Sequence, residues 1–256
     1  MYQNSNKIND RPGRPDGQNA PAAIPLNQRL AIIGWNVFVV AVVLLVATFA
    51  PVWQTVIGAG TALLLNRVGP AAWRCQIGLR KPTRLLPTLL GGILGGVILF
   101  FFTKLFLQHL CEIITHSQRD LSSFDFARGH LREEIPLIAR IAVAAGVCEE
   151  IIYRGTVISR LQAILPKNRT TQGLILLFSA AIFGAAHAYQ APAGILVTGL
   201  IGLLLGVVYV VSGRILWIAI LIHTTYDLLS LGAISSNLDR VLQAWSLTLF
   251  SWLGTS

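Results

Sequence analysis

Apolar residues along this chain gather in long runs rather than in amphipathic stripes or alternating strands. A hydrocarbon core of about 30 Å takes about 20 helical residues to cross. The first such run is Ala31 to Ala50, and a weaker one follows Pro51, from Val52 to Leu65. Further runs cover Leu85 to Leu107, Ile135 to Leu161, Gln172 to Ala188, Pro192 to Val211 and Ile215 to Ala233, with a short one from Val241 to Leu253. The pattern predicts an all-α, polytopic membrane protein with about eight transmembrane segments. The second and eighth runs are short enough to be half-spans or interfacial helices. Residues 1–28 are rich in Asn, Pro, Gly and charge. Such a segment cannot bury a core, and it is expected to be a disordered cytoplasmic tail ahead of a helical membrane domain at 29–256.

Glycine spacing adds packing detail. In the third run, GGILGG sets Gly91 with Gly95 and Gly92 with Gly96. That spacing lets a neighbouring helix approach closely. The sixth run carries Gly199, Gly202 and Gly206 along its length.

Composition agrees with the pattern: 54% of residues are hydrophobic and 12% charged, against about 25% charged in soluble domains. The net charge of +9 is not read as a nucleic-acid signal. Arg and Lys fall mainly in short loops, at Arg67, Arg74, Arg80, Lys81 and Arg84, at Lys167 and Arg169, and at Arg214. The positive-inside bias then puts those loops and the N-terminus in the cytoplasm. The expected location is a plasma membrane, of bacterial type. Three cysteines, Cys75, Cys111 and Cys148, are too scattered for a disulfide framework. Cys148 precedes Glu149, but an apolar surround and a neighbouring carboxylate disfavour a thiolate nucleophile. It reads as a small packing residue.

Against this background, Glu149 and Glu150 stand out inside the fourth run. A carboxylate at the centre of a spanning helix costs about 2.5–3.5 kcal/mol on insertion scales. The same run holds Arg154, the fifth run ends at His187, and the seventh carries His223 and Asp227. Each needs a partner or water, so one shared, partly hydrated cavity is expected, in a conical or bundled core around an intramembrane site. Glu150 and Arg154 are four apart and can pair. Glu149 is turned about 100° away and can face a reaction space. Phe183 and His187 repeat the four-residue spacing, as do His223 and Asp227.

Glutamate with histidine can activate water, while a second histidine donates to an oxyanion. Glu149, His187 and His223 can instead hold a divalent metal such as zinc. Both routes lead to hydrolysis. Two other classes compete: a proton-coupled transporter, since such residues also relay protons, and a non-catalytic immunity or scaffold protein. No internal repeat of the transporter kind is visible. His-Glu-x-x-His is absent, as is Gly-x-Ser-Gly. Tyr226-Asp227 lacks the Gly-x-Gly-Asp partner of presenilin-like proteases.

Three motifs in order, Glu149-Glu150-x-x-x-Arg154, Phe183-x-x-x-His187 and His223-x-x-x-Asp227, resemble those of the CAAX protease and bacteriocin-processing family of intramembrane endopeptidases. The IGLRKP run at Ile77 to Pro82 resembles its bacterial members. The resemblance covers about residues 70–235. It implies hydrolysis of a peptide bond in a membrane-associated protein or peptide, with Glu149 and His187 activating water. It implies that His223 and Asp227 line the oxyanion side, and that Glu150 and Arg154 hold the helix in place. Family members are described both as metalloproteases and as metal-free glutamate proteases. Asp227 stands where eukaryotic CAAX enzymes have Asn. An ionised carboxylate cannot donate to an oxyanion, so Asp227 is expected to orient His223.

Overall fold

A computed structural model describes residues 25–49, 54–69 and 77–252. Most of the expected tail, and Arg74 and Cys75 of the basic segment, lie outside these. Leu26, Asn27 and Gln28 already belong to the first helix.

The described residues are mainly helical, with no strand among them. Helices α1 (Leu26–Phe49) and α2 (Gln54–Val68) form an outer pair. A continuous helix follows, from α3 (Leu85–Phe102) through a π-helical stretch (Thr103–Leu107) into α4 (Gln108–Thr115). A second continuous helix runs from α5 (Leu131–Glu150) through a π-helical stretch (Ile151–Ile158) into α6 (Ser159–Ile164). Then come α7 (Arg169–Ala185), α8 (Ala191–Val211), α9 (Leu216–Ser235) and α10 (Leu238–Trp252). Among the described residues, four stretches are long and apolar enough to cross a membrane: Leu26–Thr48, Leu85–Thr115, Ala188–Val211 and Leu216–Ser235.

Two ends of the bundle are defined by bonds between turns. At one end Arg80 Nη2 donates to Gly213 O at 2.7 Å, and Leu216 N to Gly78 O at 2.9 Å. At the other, Asp120 N donates to Gln190 O at 3.0 Å and Gly129 N to Ser235 O at 2.9 Å. The five long helical segments between α3 and α9 therefore alternate in direction, as short connections require.

Local chemistry sets several boundaries. Asn168 caps α7, its side chain accepting from Thr171 N at 2.8 Å, which satisfies one orphan donor of the first turn. Pro192 sits in the first turn of α8, where its missing N–H is not needed. The third and fourth helices outrun their apolar stretches, reaching Thr115 and starting at Leu131. Their extra turns carry polar residues such as Gln108 and Glu112, so hydropathy alone placed these residues in a loop.

Close glycine contacts lock the helices around the site. A Cβ on Gly96 would lie 2.5 Å from Thr225 Cβ and 2.7 Å from Ile222 O. Gly92 likewise faces Leu221, whereas Gly91 faces open space. Gly92 and Gly96, with Gly95 against Ile222 Cγ1 at 3.0 Å, thus pack α3 tightly on α9. On the other side, a Cβ on Gly184 would meet Ile195 O at 2.6 Å, and one on Gly202 would meet Phe183 Cδ1 at 2.8 Å. These approaches draw α7 and α8 together and bring their polar residues toward α9.

Candidate active site

The connection between α7 and α8 holds one half of the site. After Ala185 the chain turns at His187 into a short 3₁₀ turn, Ala188–Gln190. It then enters α8 through Ala191, at φ 63° and ψ 173°. That conformation is strained for a residue with a Cβ. His187 Nδ1 lies 2.9 Å from Phe183 O. Only an N–H can make this bond to a carbonyl, so Nδ1 carries a proton, and in the neutral imidazole the lone pair is on Nε2.

The other half lies between α5 and α9. Glu150 is fully buried. Its Oε1 accepts from Arg154 Nη1 at 2.7 Å and from His223 Nδ1 at 2.8 Å. Arg154, also fully buried, donates from Nη2 to Gly202 O at 3.0 Å. Its guanidinium stacks 4.7 Å from the centre of the Phe183 ring, a cation–π contact strengthened by desolvation. One ion pair thus ties α5, α8 and α9 together. Thr156 Oγ1 donates to Ile151 O at 2.9 Å, satisfying a carbonyl within the π-helical stretch. Such stretches are frequent at functional sites.

Glu149 points elsewhere. Its Oε2 lies 3.8 Å from His223 Nε2, and Asp227 Oδ2 lies 3.6 Å from the same nitrogen. Glu149, Phe183, His187, His223 and Asp227 all line one cavity of about 230 Å³. Phe183 packs between the two imidazoles, its ring centre 4.9 Å from that of His187 and 5.9 Å from that of His223. Glu150 and Arg154 stand behind the wall. Cys148 is a free, half-buried thiol that does not line the cavity.

Whether these donors fit a metal can be judged from their placement. Among the described residues, no three His, Cys, Asp or Glu side chains stand together so as to hold a metal ion. Glu150 and the Phe183 carbonyl engage His223 Nδ1 and His187 Nδ1, which leaves the two Nε2 atoms for the cavity.

Polar residues beyond the three motifs complete the cavity. Arg119 reaches in from the segment after α4, donating from Nε to Gln190 Oε1 at 2.8 Å and from Nη1 to Tyr226 OH at 3.5 Å. Lys104 and Tyr189 also line the space. The sequence reading passed over them. Arg119 lies in a mixed loop, and Lys104 reads as the edge of an apolar run. A lone lysine within that run was the one available signal.

Among the described residues, four helices long and apolar enough to cross a membrane and a polar cavity between helices fit one class, an integral membrane protein. Residues 131–229 match the family model described as Rce1-like, type II CAAX prenyl endopeptidase Rce1-like. This match, which spans all three motifs, supports the CAAX protease and bacteriocin-processing family, a family of membrane proteases. No curated protein and no solved structure matches the chain.

Proposed function

We propose that this chain is an intramembrane endopeptidase that hydrolyses a peptide bond of a membrane-associated protein or peptide. The observation that carries the reading is the division of the glutamate pair: Glu150 is sealed into an ion pair, while Glu149 faces a cavity shared with both histidines. A water held between Glu149 and His187 Nε2 gives up a proton to the carboxylate as its oxygen attacks the scissile carbonyl. His223 holds its Nδ1–H on Glu150 and, when doubly protonated, directs an Nε2–H toward the cavity, where it donates to the developing oxyanion. Collapse of the tetrahedral intermediate breaks the C–N bond. The proton on Glu149 passes to the departing amine, leaving a carboxylic acid and an amine.

In this reading Glu150 fixes the orientation of His223, a task the sequence had given to Asp227. Asp227 flanks Nε2 beyond hydrogen-bond range, at 3.6 Å. Glu149, His187 and His223 are the catalytic residues, and Glu150, Arg154 and Phe183 are positioning residues. The remaining helices complete about eight membrane segments, with the N-terminus in the cytoplasm.

The test is cleavage of a substrate peptide by purified protein. Glu149→Ala, His187→Ala and His223→Ala should each lower the rate by about 10²–10⁴-fold. Full activity in the Glu149 variant would overturn the mechanism. Activity should also persist in chelator, whereas loss in chelator with recovery on added zinc would establish a metal route.

A further inference from the structure

Charge is divided unevenly between the two ends of the bundle. At the end where Arg80 bonds the Gly213 carbonyl, the turns between α6 and α7 and between α8 and α9 carry Lys167, Arg169 and Arg214. The described carboxylates lie elsewhere. Glu112, Asp125 and Asp239 line a cavity at the opposite end, where the Asp120 backbone bonds Gln190. Glu149, Glu150 and Asp227 stand in the middle. Lys167, Arg169 and Arg214 make no ion pair or side-chain hydrogen bond among the described residues. All three are exposed, and they line one cavity of about 600 Å³.

The first turn of α7 borders the same cavity, and a helix start favours an anion. A further observation does not depend on charge. Gln162, only 6% exposed, also lines the cavity. Its Nε2 donates to Gln172 Oε1, while Gln162 Oε1 and Gln172 Nε2 have no hydrogen-bond partner among the described residues. A buried amide left half-satisfied is costly, and a polar occupant of the cavity would supply its missing bonds. The backbone holds Arg214 in place. Gly213 and Arg214 take φ of 73° and 61°, the second uncommon for a residue with a side chain. Gly78, in the IGLRKP run, packs against this turn: a Cβ there would lie 2.5 Å from Arg214 O. Just beyond the cations the surface is apolar, with Val211 76% exposed and Leu174 62% exposed.

We infer that Lys167, Arg169 and Arg214 form a binding site for a phosphate group, carried by an acidic membrane lipid or free in solution. Guanidinium groups take phosphate oxygens through paired N–H bonds, and an ammonium adds a point charge. Basic pockets between helices at a membrane boundary suit lipid headgroups, and the exposed Val211 and Leu174 offer acyl chains a surface. The occupant joins the start of α7 to the turn before α9. Those two helices lead to His187 and His223, so the site acts on the stability of the bundle from a distance. It does not depend on the endopeptidase reading.

The experiment measures binding and thermal melting of the full chain in a neutral detergent. The protein is titrated with phosphatidylglycerol, with phosphatidylcholine of the same acyl chains, and with inorganic phosphate. If a lipid supplies the group, phosphatidylglycerol should bind saturably, about tenfold or more tightly than phosphatidylcholine, and raise the melting midpoint by several degrees at saturation. If free phosphate is the ligand, inorganic phosphate should give that saturable shift by itself. Lys167→Gln, Arg169→Gln and Arg214→Gln should each weaken binding of whichever ligand it is about fivefold, and the triple variant should abolish the preference. Unliganded melting of the variants should match the parent, because the three side chains are exposed. Arg67→Gln and Arg84→Gln, exposed cations outside the cavity, should leave binding unchanged. Equal binding of the two lipids with no effect of phosphate, a preference that survives the triple variant, or equal weakening by the Arg67 and Arg84 variants overturns the site.

Discussion

Glu149 and Glu150 are neighbours in one helix, yet they belong to two different regions. The region behind Glu150 is buried and closed. Its carboxylate, the Arg154 guanidinium, the Gly202 carbonyl and the His223 ring form a single bonded unit. The region in front of Glu149 is a cavity, where two carboxylates approach the His223 imidazole to 3.6–3.8 Å without closing on it. The closed region bonds its polar groups to one another, except for Glu150 Oε2 and Arg154 Nε, which have no hydrogen-bond partner among the described residues. The open one leaves the lone pair of His187 and the oxygens of Glu149 available to a substrate. About 100° of helix rotation separates a group that holds the fold from one that can do chemistry.

The sharpest way to break this comparison is to delete each carboxylate and measure stability in detergent. Glu150→Ala should cost about 3–5 kcal/mol, because it leaves the Arg154 charge buried and unpaired. Glu149→Ala should stay within about 1 kcal/mol of the parent while activity is lost, since it lines a cavity. The reverse order of stabilities would mean that the two roles are exchanged.

A smaller effect tests what aligns the two regions. Gly96→Val drives a side chain into Thr225 and the Ile222 carbonyl. It should destabilise by about 1–3 kcal/mol and move His223 with α9, lowering activity as well. Gly91→Val, facing open space, should do neither. Equal behaviour of the two variants in thermal melts would sink the packing argument.

The smallest effect concerns the strained turn that carries His187. Ala191→Gly relieves a positive φ and should raise stability by about 1 kcal/mol. If the strain holds His187 in place, the same variant should lower the cleavage rate. A melting temperature below that of the parent would show that Ala191 is not strained.

Much of the site was legible in the sequence because membrane helices make polar residues conspicuous. Glu149, Glu150, Arg154, His187, His223 and Asp227 are exceptions in apolar runs, and the structure gathers five helices around them. Lys104 and Arg119 were not legible. One looked like the end of a span and the other like loop charge, and only the turn bonded to Gln190 and the π-helical stretch bring them to the cavity.

The sequence by itself determined that the chain is helical, that it is apolar enough to span a membrane, and which residues are too costly to be there for packing. Helical periodicity also paired Glu150 with Arg154, because that contact is local. Which carboxylate orients His223 was decided by the tertiary structure alone. Asp227 has the right spacing on the same helix, yet Glu150 on another helix takes the Nδ1–H. Spacing along one helix fixes which groups can meet. Which of them do meet depends on the approach of α3 and α5 to α9 and of α7 to α8, set by glycines such as Gly96, Gly146 and Gly184 whose partners lie elsewhere in the chain.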